Sequence, residues 1–370
     1  MDSPTGLVVR LRQQDPVALD VEFDCGPGEV MAIVGPSGSG KTTILRCIAG
    51  IARPQSGRIA CAGDVWFDRS ANIDRPPHRR RIGFVFQSYA LFPHMTALGN
   101  VLVALCDLAP SARAARARTM LEKVHLGGLE NRKPAALSGG QQQRVAVARA
   151  LARDPRALLL DEPFAAVDRV TRHKLHRELA ELRRELRMPV VLVTHDLDEA
   201  AMLADRMCIL HRGRTLQTGT PDEVMTRPRS VEVARLVDLQ NIFEGEVLEH
   251  RTDPAMTIVG WQDRRLEARP QPAFDIGTRV SWVIPAGFVV LHRRDRPSRG
   301  EHENPITGVV QDLVTIGEIA HIKINVDGVG DRPIHLSVPS HVARRNGVAT
   351  GVEVAISLLA EGIHLMAPAG

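Results

Sequence analysis

No apolar run in this 370-residue chain reaches the roughly 18 residues a membrane-spanning helix needs, which excludes a helical integral membrane protein. The start, Met1-Asp2-Ser3-Pro4-Thr5-Gly6, has neither a basic nor an apolar region and is not expected to be a secretory signal. Cysteine is sparse: Cys25, Cys47, Cys61, Cys106 and Cys208 are scattered, with no C-x-x-C. They read as buried thiols in a reducing compartment, not as disulfides or metal ligands. No heptad run is present, so a long coiled coil is excluded. The basic cluster Arg75-Pro76-Pro77-His78-Arg79-Arg80-Arg81 lacks interleaved aromatics, so it reads as a solvated loop before the strand Ile82–Phe86, and no nucleic-acid partner is expected. With 24% charged and 44% hydrophobic residues and a net charge of +4, the composition is that of an ordinary soluble protein. The length implies two or three domains.

Gly35-Pro36-Ser37-Gly38-Ser39-Gly40-Lys41-Thr42 fits the phosphate-binding pattern G-x-x-x-x-G-K-[ST]. The apolar run Val30–Val34 before it reads as a buried strand, and Thr43–Ala49 after it as the start of a helix. The glycines let backbone N–H groups turn toward a phosphate chain, the helix N-terminus adds partial positive charge, and Lys41 adds a full one. The Thr42 hydroxyl suits Mg²⁺. A second anion cradle is expected at Leu137-Ser138-Gly139-Gly140-Gln141, just ahead of a helix from Gln142 to Arg153. Two such helix starts in one chain, if they serve one nucleotide, let two chains complete each site between them.

Three strand ends add chemistry. Leu158-Leu159-Leu160-Asp161-Glu162-Pro163 ends in two carboxylates: Asp161 suits Mg²⁺ through water, and Glu162 suits a general base. Val193-Thr194-His195-Asp196 places a histidine to reach a γ-phosphate, and Phe86-Gln87 places an amide near metal and water. The continuous apolar runs Ala157–Leu160 and Val190–Val193 suit strands buried on both faces of a parallel sheet. Leu175, Leu179, Leu182 and Leu186 recur at helical spacing between Thr171 and Arg187, a core stripe too short for a zipper.

Beyond about Asp238 the period becomes two. Ile322, Ile324 and Val326 alternate with polar residues, Asp327-Gly328 marks a turn, and Ile334, Leu336 and Val338 resume the alternation. Phe243-Glu244-Gly245-Glu246-Val247 is echoed by Ile306-Thr307-Gly308-Val309-Val310, and Ile276-Gly277-Thr278-Arg279-Val280 by Thr350-Gly351-Val352-Glu353-Val354. Two small β-barrel-like units in tandem, linked by the polar stretch Arg293–Asn304, would explain the echo.

Taken in this order, the motifs of residues 1 to about 235 closely resemble the nucleotide-binding subunit of ATP-binding-cassette (ABC) transporters. The resemblance implies an α/β P-loop ATPase fold over 1–235, with a helical subdomain at about 88–150. An all-β region of small oligobinding-type (TOBE/MOP-like) barrels, regulatory or dimerising, would follow over 236–370. It implies ATP and Mg²⁺ as cofactors. Lys41 would hold the phosphates within the cradle Gly35 to Thr43, Thr42 and Asp161 the metal, and Gln87 the Q-loop position. Glu162 would be the catalytic base and His195 the switch histidine. Ser138, Gly139, Gly140 and Gln141 would act across a homodimer, and Asp168 would be the D-loop aspartate. The partners implied are membrane permease subunits and a periplasmic solute-binding protein, with the chain peripheral on the cytoplasmic side of the inner membrane.

Gly50–Ile59, Val65–Asp68, Arg80–Gln87 and Leu91–His94 look most like the ATPase of molybdate importers, so molybdate leads as the solute. Sulfate, ferric iron and sugar importers use similar cassettes. A soluble cassette acting on DNA or ribosomes, or a pure oxyanion sensor, are the other classes. Three departures stand out. Phe164-Ala165-Ala166-Val167-Asp168 alters the usual D-loop core. Nothing aromatic lies between Met1 and Asp20 to stack on adenine, and Phe23 reads as core. In the barrels, Glu301-His302-Glu303-Asn304 and Leu358-Leu359-Ala360 stand where oxyanion-binding segments usually carry an arginine and a lysine. Ser337 and Ser340 remain as donors for an oxyanion there.

Overall fold

A computed structural model of the chain describes residues 6–165, 167, 169–293, 302–326 and 332–368. The chain divides into two compact units, Met1–Pro221 and Asp222–Gly370. Among the described residues no helix is long and apolar enough to cross a membrane.

The strands of the first unit are β1 (Leu7–Gln13), β2 (Leu19–Cys25), β3 (Val30–Val34), β4 (Ser56–Cys61), β5 (Asp64–Asp68), β6 (Ile73–Asp74), β7 (Ile82–Val85), β8 (Ala157–Asp161), β9 (Val190–Thr194), β10 (Arg206–His211) and β11 (Arg214–Gly219). They form one sheet in the order β6-β5-β4-β1-β2-β11-β10-β3-β9-β8-β7. Strands β10, β3, β9, β8 and β7 run parallel. Strands β3, β8 and β9 are buried along their whole length, as their unbroken apolar runs require. Strands β1 and β2 alternate instead, turning Leu7, Val9, Leu11, Leu19, Val21 and Phe23 into the core. The register is what positions the site: Val34 lies opposite Thr194, Asp161 opposite Val193, and Val85 opposite Leu160. The C-terminal ends of β3, β9, β8 and β7 therefore finish together on one edge.

The helices of this unit are α1 (Lys41–Ala49), α2 (Ala97–Leu102), α3 (Pro110–Lys123), α4 (Gly139–Leu151), α5 (Arg169–Arg183) and α6 (Leu197–Leu203). Helices α2, α3 and α4 pack on one another, and α4 also lies on β7. Helix α5 ends at Arg183, short of the stripe's last leucine, where a turn closes from the Leu186 N–H to the Arg183 carbonyl.

The basic run before β7 is not wholly solvated. Arg80 is 1% exposed, and its guanidinium donates to the carbonyls of Cys47, Ile48 and Arg75 and pairs with Asp74. It caps the C-terminus of α1, where orphan carbonyls and the helix dipole favour a cation. Gly50, with φ +77°, makes room for it: a Cβ there would sit 2.6 Å from Arg80 Nε. Of the five cysteines, Cys25, Cys47, Cys61 and Cys208 are buried and only Cys106 is exposed. Burial pushes the Cys25 thiol up to about 12.

The second unit carries α7 (Pro221–Thr226), α8 (Val231–Leu236) and α9 (Ser340–Arg345). Its strands are β12 (Ile242–Thr252), β13 (Ala255–Trp261), β14 (Arg264–Ala268), β15 (Arg279–Val283), β16 (Val289–Leu291), β17 (Pro305–Ile316), β18 (Ile319–Asn325), β19 (Ile334–Pro339), β20 (Glu353–Leu358) and β21 (His364–Met366). Two sheets form, β14-β13-β12-β15-β21 and β16-β20-β17-β18-β19. The echo in the sequence is an echo in register. Gly245 pairs with Val280 as Gly308 pairs with Val354. The Gly277 N–H reaches the Val247 carbonyl at 2.7 Å as the Gly351 N–H reaches that of Val310 at 2.8 Å. A bulge follows Val247 and another Val310. The halves also trade strands: β16 precedes the polar link but joins the second sheet, and the last strand, β21, joins the first. One apolar cluster serves both, with Phe243, Trp261 and Trp282 against Val310, Ile322 and Ile356. The Asp327-Gly328 turn and residues 294–301 of the link lie outside the described residues.

Replacing Arg80 by Ala leaves buried carbonyls at the end of α1 without a donor, and is expected to lower unfolding stability by about 2–4 kcal/mol. Urea denaturation of R80A against the parent checks this; an unchanged midpoint would show that the cap is dispensable.

Candidate functional site

The phosphate-binding pattern occupies the turn from β3 into α1, as its mechanism demands. Gly35 cannot carry a side chain: a Cβ there would sit 2.1 Å from the Leu210 carbonyl oxygen. Gly38 and Gly40 take φ of +80° and +99°, a region that only glycine enters freely. Pro36, Ser37 and Gly38 form the exposed crest of the turn, and Thr43 follows in the first turn of α1. The Ser39 hydroxyl is buried and has no hydrogen-bond partner among the described residues. Lys41, 5% exposed, turns its ammonium back into the loop and donates to the carbonyls of Gly35 at 2.8 Å and Pro36 at 2.9 Å. Burial lowers its pKa, and Glu162 and Asp161 oppose that. A buried cation and an orphan hydroxyl inside a glycine turn fit a phosphate chain.

The carboxylates arrive from the neighbouring strand. Thr42 Oγ1 donates to Asp161 Oδ1 at 2.9 Å, so two hard oxygens suited to Mg²⁺ stand side by side. Burial raises the Asp161 pKa, and the Thr42 hydrogen bond works against it. Glu162 sits just past β8 with φ +42°, a strained conformation for a residue with a side chain, and its N–H is tied to the Val193 carbonyl at 2.9 Å. Its carboxylate is the hub. Lys41 Nζ lies 4.0 Å away, Gln87 Nε2 donates at 3.2 Å, and His195 Nδ1 lies at 3.3 Å. The structure thus brings together Lys41, Thr42, Gln87, Asp161, Glu162 and His195. A carboxylate beside a buried cation and an amide can accept a proton from a water held between them.

Ser138, Gly139, Gly140 and Gln141 are elsewhere, at the N-terminus of α4. Ser138 Oγ accepts the Gln141 N–H and Gln141 Oε1 accepts the Ser138 N–H, a capping box. Among the described residues none of the four bonds to the phosphate-binding turn. Asp168 lies outside the described residues.

Some residues that shape the site carry no motif. Arg149 on α4 donates to the carbonyls of Tyr89 and Ala90, both at 2.7 Å, and so holds the segment after Gln87. Buried Asn100 ties the next turn through Phe92 and Thr96. Side chain to carbonyl bonds have no periodicity, so nothing in the sequence announces them. Phe23 is buried in the core. Val17, partly buried ahead of β2, has Cγ1 3.4 Å from where a Gly40 Cβ would stand, and Leu19 Cδ2 lies at 2.7 Å, so aliphatic side chains flank the turn.

The barrel segments use their polar groups internally. His302 Nδ1 meets Glu267 Oε2 at 2.6 Å, and Asn304 Nδ2 donates to the carbonyls of Glu267 and Leu358. Ser337 Oγ is 3.1 Å from His321 Nδ1, and Ser340 opens α9 with its N–H on the Glu318 carbonyl. Glu301 lies outside the described residues.

Compared with known proteins, the chain matches the family model "ABC transporter" over residues 18–165. It is 39% identical over 321 residues to the spermidine/putrescine import ATP-binding protein PotA of Oleidesulfovibrio alaskensis, covering 85% of this chain and 82% of that one. It is 41% identical over 293 residues to the sulfate/thiosulfate import ATP-binding protein CysA of Caulobacter vibrioides, covering 75% and 81%. Among solved structures, cbiO1 from Clostridium perfringens, part of the ABC transporter complex cbiONQ, is similar with a TM-score of 0.52 and 28% identity, over 59% of this chain and 89% of that one.

Glu199, on α6, is a titratable neighbour that no motif flagged. It is 5% exposed, and burial pushes its carboxyl up to about 7 from 4.5. A carboxyl raised in this way holds its proton more tightly in the folded chain. Its stabilising contribution is complete below about pH 4.5 and is lost as pH rises through about 7. Glu199→Gln is therefore expected to melt close to the parent at pH 4.5 and above it at pH 8, by at most about 3.5 kcal/mol at ~1.4 kcal/mol per unit. Thermal melts at the two pH values check this; a constant offset would count against the burial.

Proposed function

The chain belongs to the ATP-binding subunits of ABC importers, as a relative 39% identical over most of both chains shows, and from that premise we propose how its residues divide the work. The chain is an ATPase that uses ATP with Mg²⁺. The observation that carries the reading is the convergence on Glu162 of Lys41, Gln87 and His195, one strand away from the Thr42–Asp161 pair.

In this reading Lys41, Ser39 and the N–H groups of the glycine turn bind the phosphate chain. Thr42 and Asp161, with Gln87 close by, would hold Mg²⁺, which supplies countercharge to the phosphate oxygens. Glu162 accepts a proton from the attacking water, and Gln87 and His195 keep its carboxylate in place. Val17 gives the nucleobase an aliphatic contact where the first strands lack an aromatic. Ser138, Gly139 and Gly140 open a second helix with its own N-terminal anion cradle, separate from the phosphate-binding turn, and in this reading they serve the nucleotide of a second copy. A head-to-tail homodimer would then close on two ATP molecules. Asp168 joins this scheme as the D-loop residue by motif position. The segment from Gln87 to Asn100, pinned by Arg149 and Asn100 and carrying the exposed Phe92, is proposed as the seat for a permease subunit. The chain would work at the cytoplasmic face of the membrane with that permease and a solute-binding protein.

For the solute we infer a tetrahedral oxyanion, sulfate-like or molybdate. Named sulfate/thiosulfate relatives are 41% and 45% identical over 293 and 235 residues, and molybdate rests on the resemblance read from the stretches Gly50–Ile59 and Arg80–Gln87 alone. A polyamine is the second reading, favoured by the spermidine/putrescine relative that matches 85% of the chain. Uptake of labelled sulfate, molybdate and putrescine by cells lacking the chain separates the three: loss of oxyanion uptake alone is expected, and loss of putrescine uptake alone would reverse the choice.

Glu162→Gln should bind ATP and dimerise yet hydrolyse at least about 100-fold more slowly. A normal rate would remove Glu162 as the base. Val17→Asp should raise KM for ATP several-fold with kcat little changed; an unaltered KM would remove Val17 from the nucleobase contact.

A further inference from the structure

His195 reaches Glu162, yet it is 59% exposed and its ring makes no other polar contact among the described residues. Its position therefore depends on its own backbone, and that backbone is held from behind. Thr194 Oγ1 lies 2.5 Å from Glu199 Oε2. The same Thr194 oxygen accepts the Asp196 N–H at 3.0 Å, and Asp196 Oδ1 accepts the Glu199 N–H at 3.0 Å. These three bonds close a ring through residues 194, 196 and 199 with His195 at its apex. Glu199 is buried and its second oxygen, Oε1, has no hydrogen-bond partner among the described residues. Burying a carboxyl at that cost is unexplained by packing alone, because an apolar side chain would fill the same space more cheaply.

We propose that Glu199 is a positioning residue for ATP hydrolysis: through Thr194 and Asp196 it fixes the turn that presents His195 to Glu162. This rests on the roles proposed above for His195 and Glu162. The charged surroundings act on it from several sides. Asp196 lies on the same turn, Arg172 comes from α5, and Glu162 stands at the end of β8, while the packed strands β3 and β9 carry no ionisable side chain. Asp196 and Glu162 disfavour its ionisation and Arg172 favours it. When ionised, Glu199 takes the Thr194 hydroxyl proton in a charge-assisted bond and leaves the Thr194 lone pairs to the Asp196 N–H, so every member of the ring has one direction. When protonated, it offers Thr194 a weaker acceptor, and the turn is looser.

The test compares ATPase kinetics of the full chain and its Glu199→Gln, Glu199→Ala, His195→Ala and His195→Ala/Glu199→Ala variants. Gln keeps the size and the acceptor but cannot ionise. The ratio of parent to E199Q kcat is expected near one at pH 6 and about three at pH 8.5, and the ratio cancels the titration that both share. E199A should lose about tenfold in kcat with KM for ATP unchanged, and the double variant should be no slower than H195A. A pH-independent parent-to-E199Q ratio, or losses from H195A and E199A that multiply, would overturn the proposal while leaving the site reading intact. A fully active H195A would overturn both together.

Discussion

Everything at the site depends on four parallel strands ending in step. With Val34 opposite Thr194 and Asp161 opposite Val193, the turn after β3 and the carboxylates after β8 are delivered to the same edge without any loop having to search for the other. That alignment also answers an energetic demand. A lysine ammonium as buried as Lys41 needs acceptors, and it finds two carbonyls of its own turn and a carboxylate 4.0 Å away. The turn and the carboxylate strand are thus mutually required before any nucleotide arrives. The left-handed backbone of Glu162 is the local cost of aiming that carboxylate, and the N–H bond to Val193 is what holds it there.

Much of this was legible in the sequence because each functional residue follows an apolar run that can only be a doubly buried strand. Gly35–Thr42 after Val30–Val34, Asp161-Glu162 after Ala157–Leu160, and His195 after Val190–Thr194 are the same signal three times over. What the sequence hid is of another kind. Arg80 stands in a run of arginines and prolines that reads as solvated, yet it is the one whose guanidinium fits the end of α1, because Gly50 has no Cβ to block it. Arg149 and Asn100 act on backbone carbonyls far along the chain. Glu199 follows His195 by one helical turn, a spacing shared by countless exposed glutamates, and only its burial sets it apart. Val17, proposed above for the nucleobase contact, is a small aliphatic residue and carries no sequence sign of such a role.

The internal repeat shows how far a weak signal can be trusted when its residues are sterically forced. A Cβ on Gly245 would stand 2.7 Å from the Gly260 carbonyl oxygen, and one on Gly308 would stand 2.5 Å from that of Asn325. Gly277 and Gly351 share φ of +84° and +82°. Each pair of echoed glycines is fixed by the same contact or the same dihedral, so the likeness is one of geometry and not of composition. What the repeat does not convey is the exchange of β16 and β21 between the two sheets, since strands of three residues have no period to read.

That exchange bears on where a solute anion could be sensed. Asn304 is committed to backbone carbonyls on both sides, at Glu267 and Leu358, as a clamp between the two sheets, and His302 is committed to the Glu267 carboxylate. A dianion placed there would have to compete with the Glu267 carboxylate for His302 and Arg251. The segment that resembles an oxyanion site by position thus has the polar groups of His302 and Asn304 bonded within the chain. In the reading proposed above, the discrimination of an oxyanion from a polyamine falls to partners outside this chain, and the contribution of the chain is hydrolysis at Glu162 and the groups that hold it.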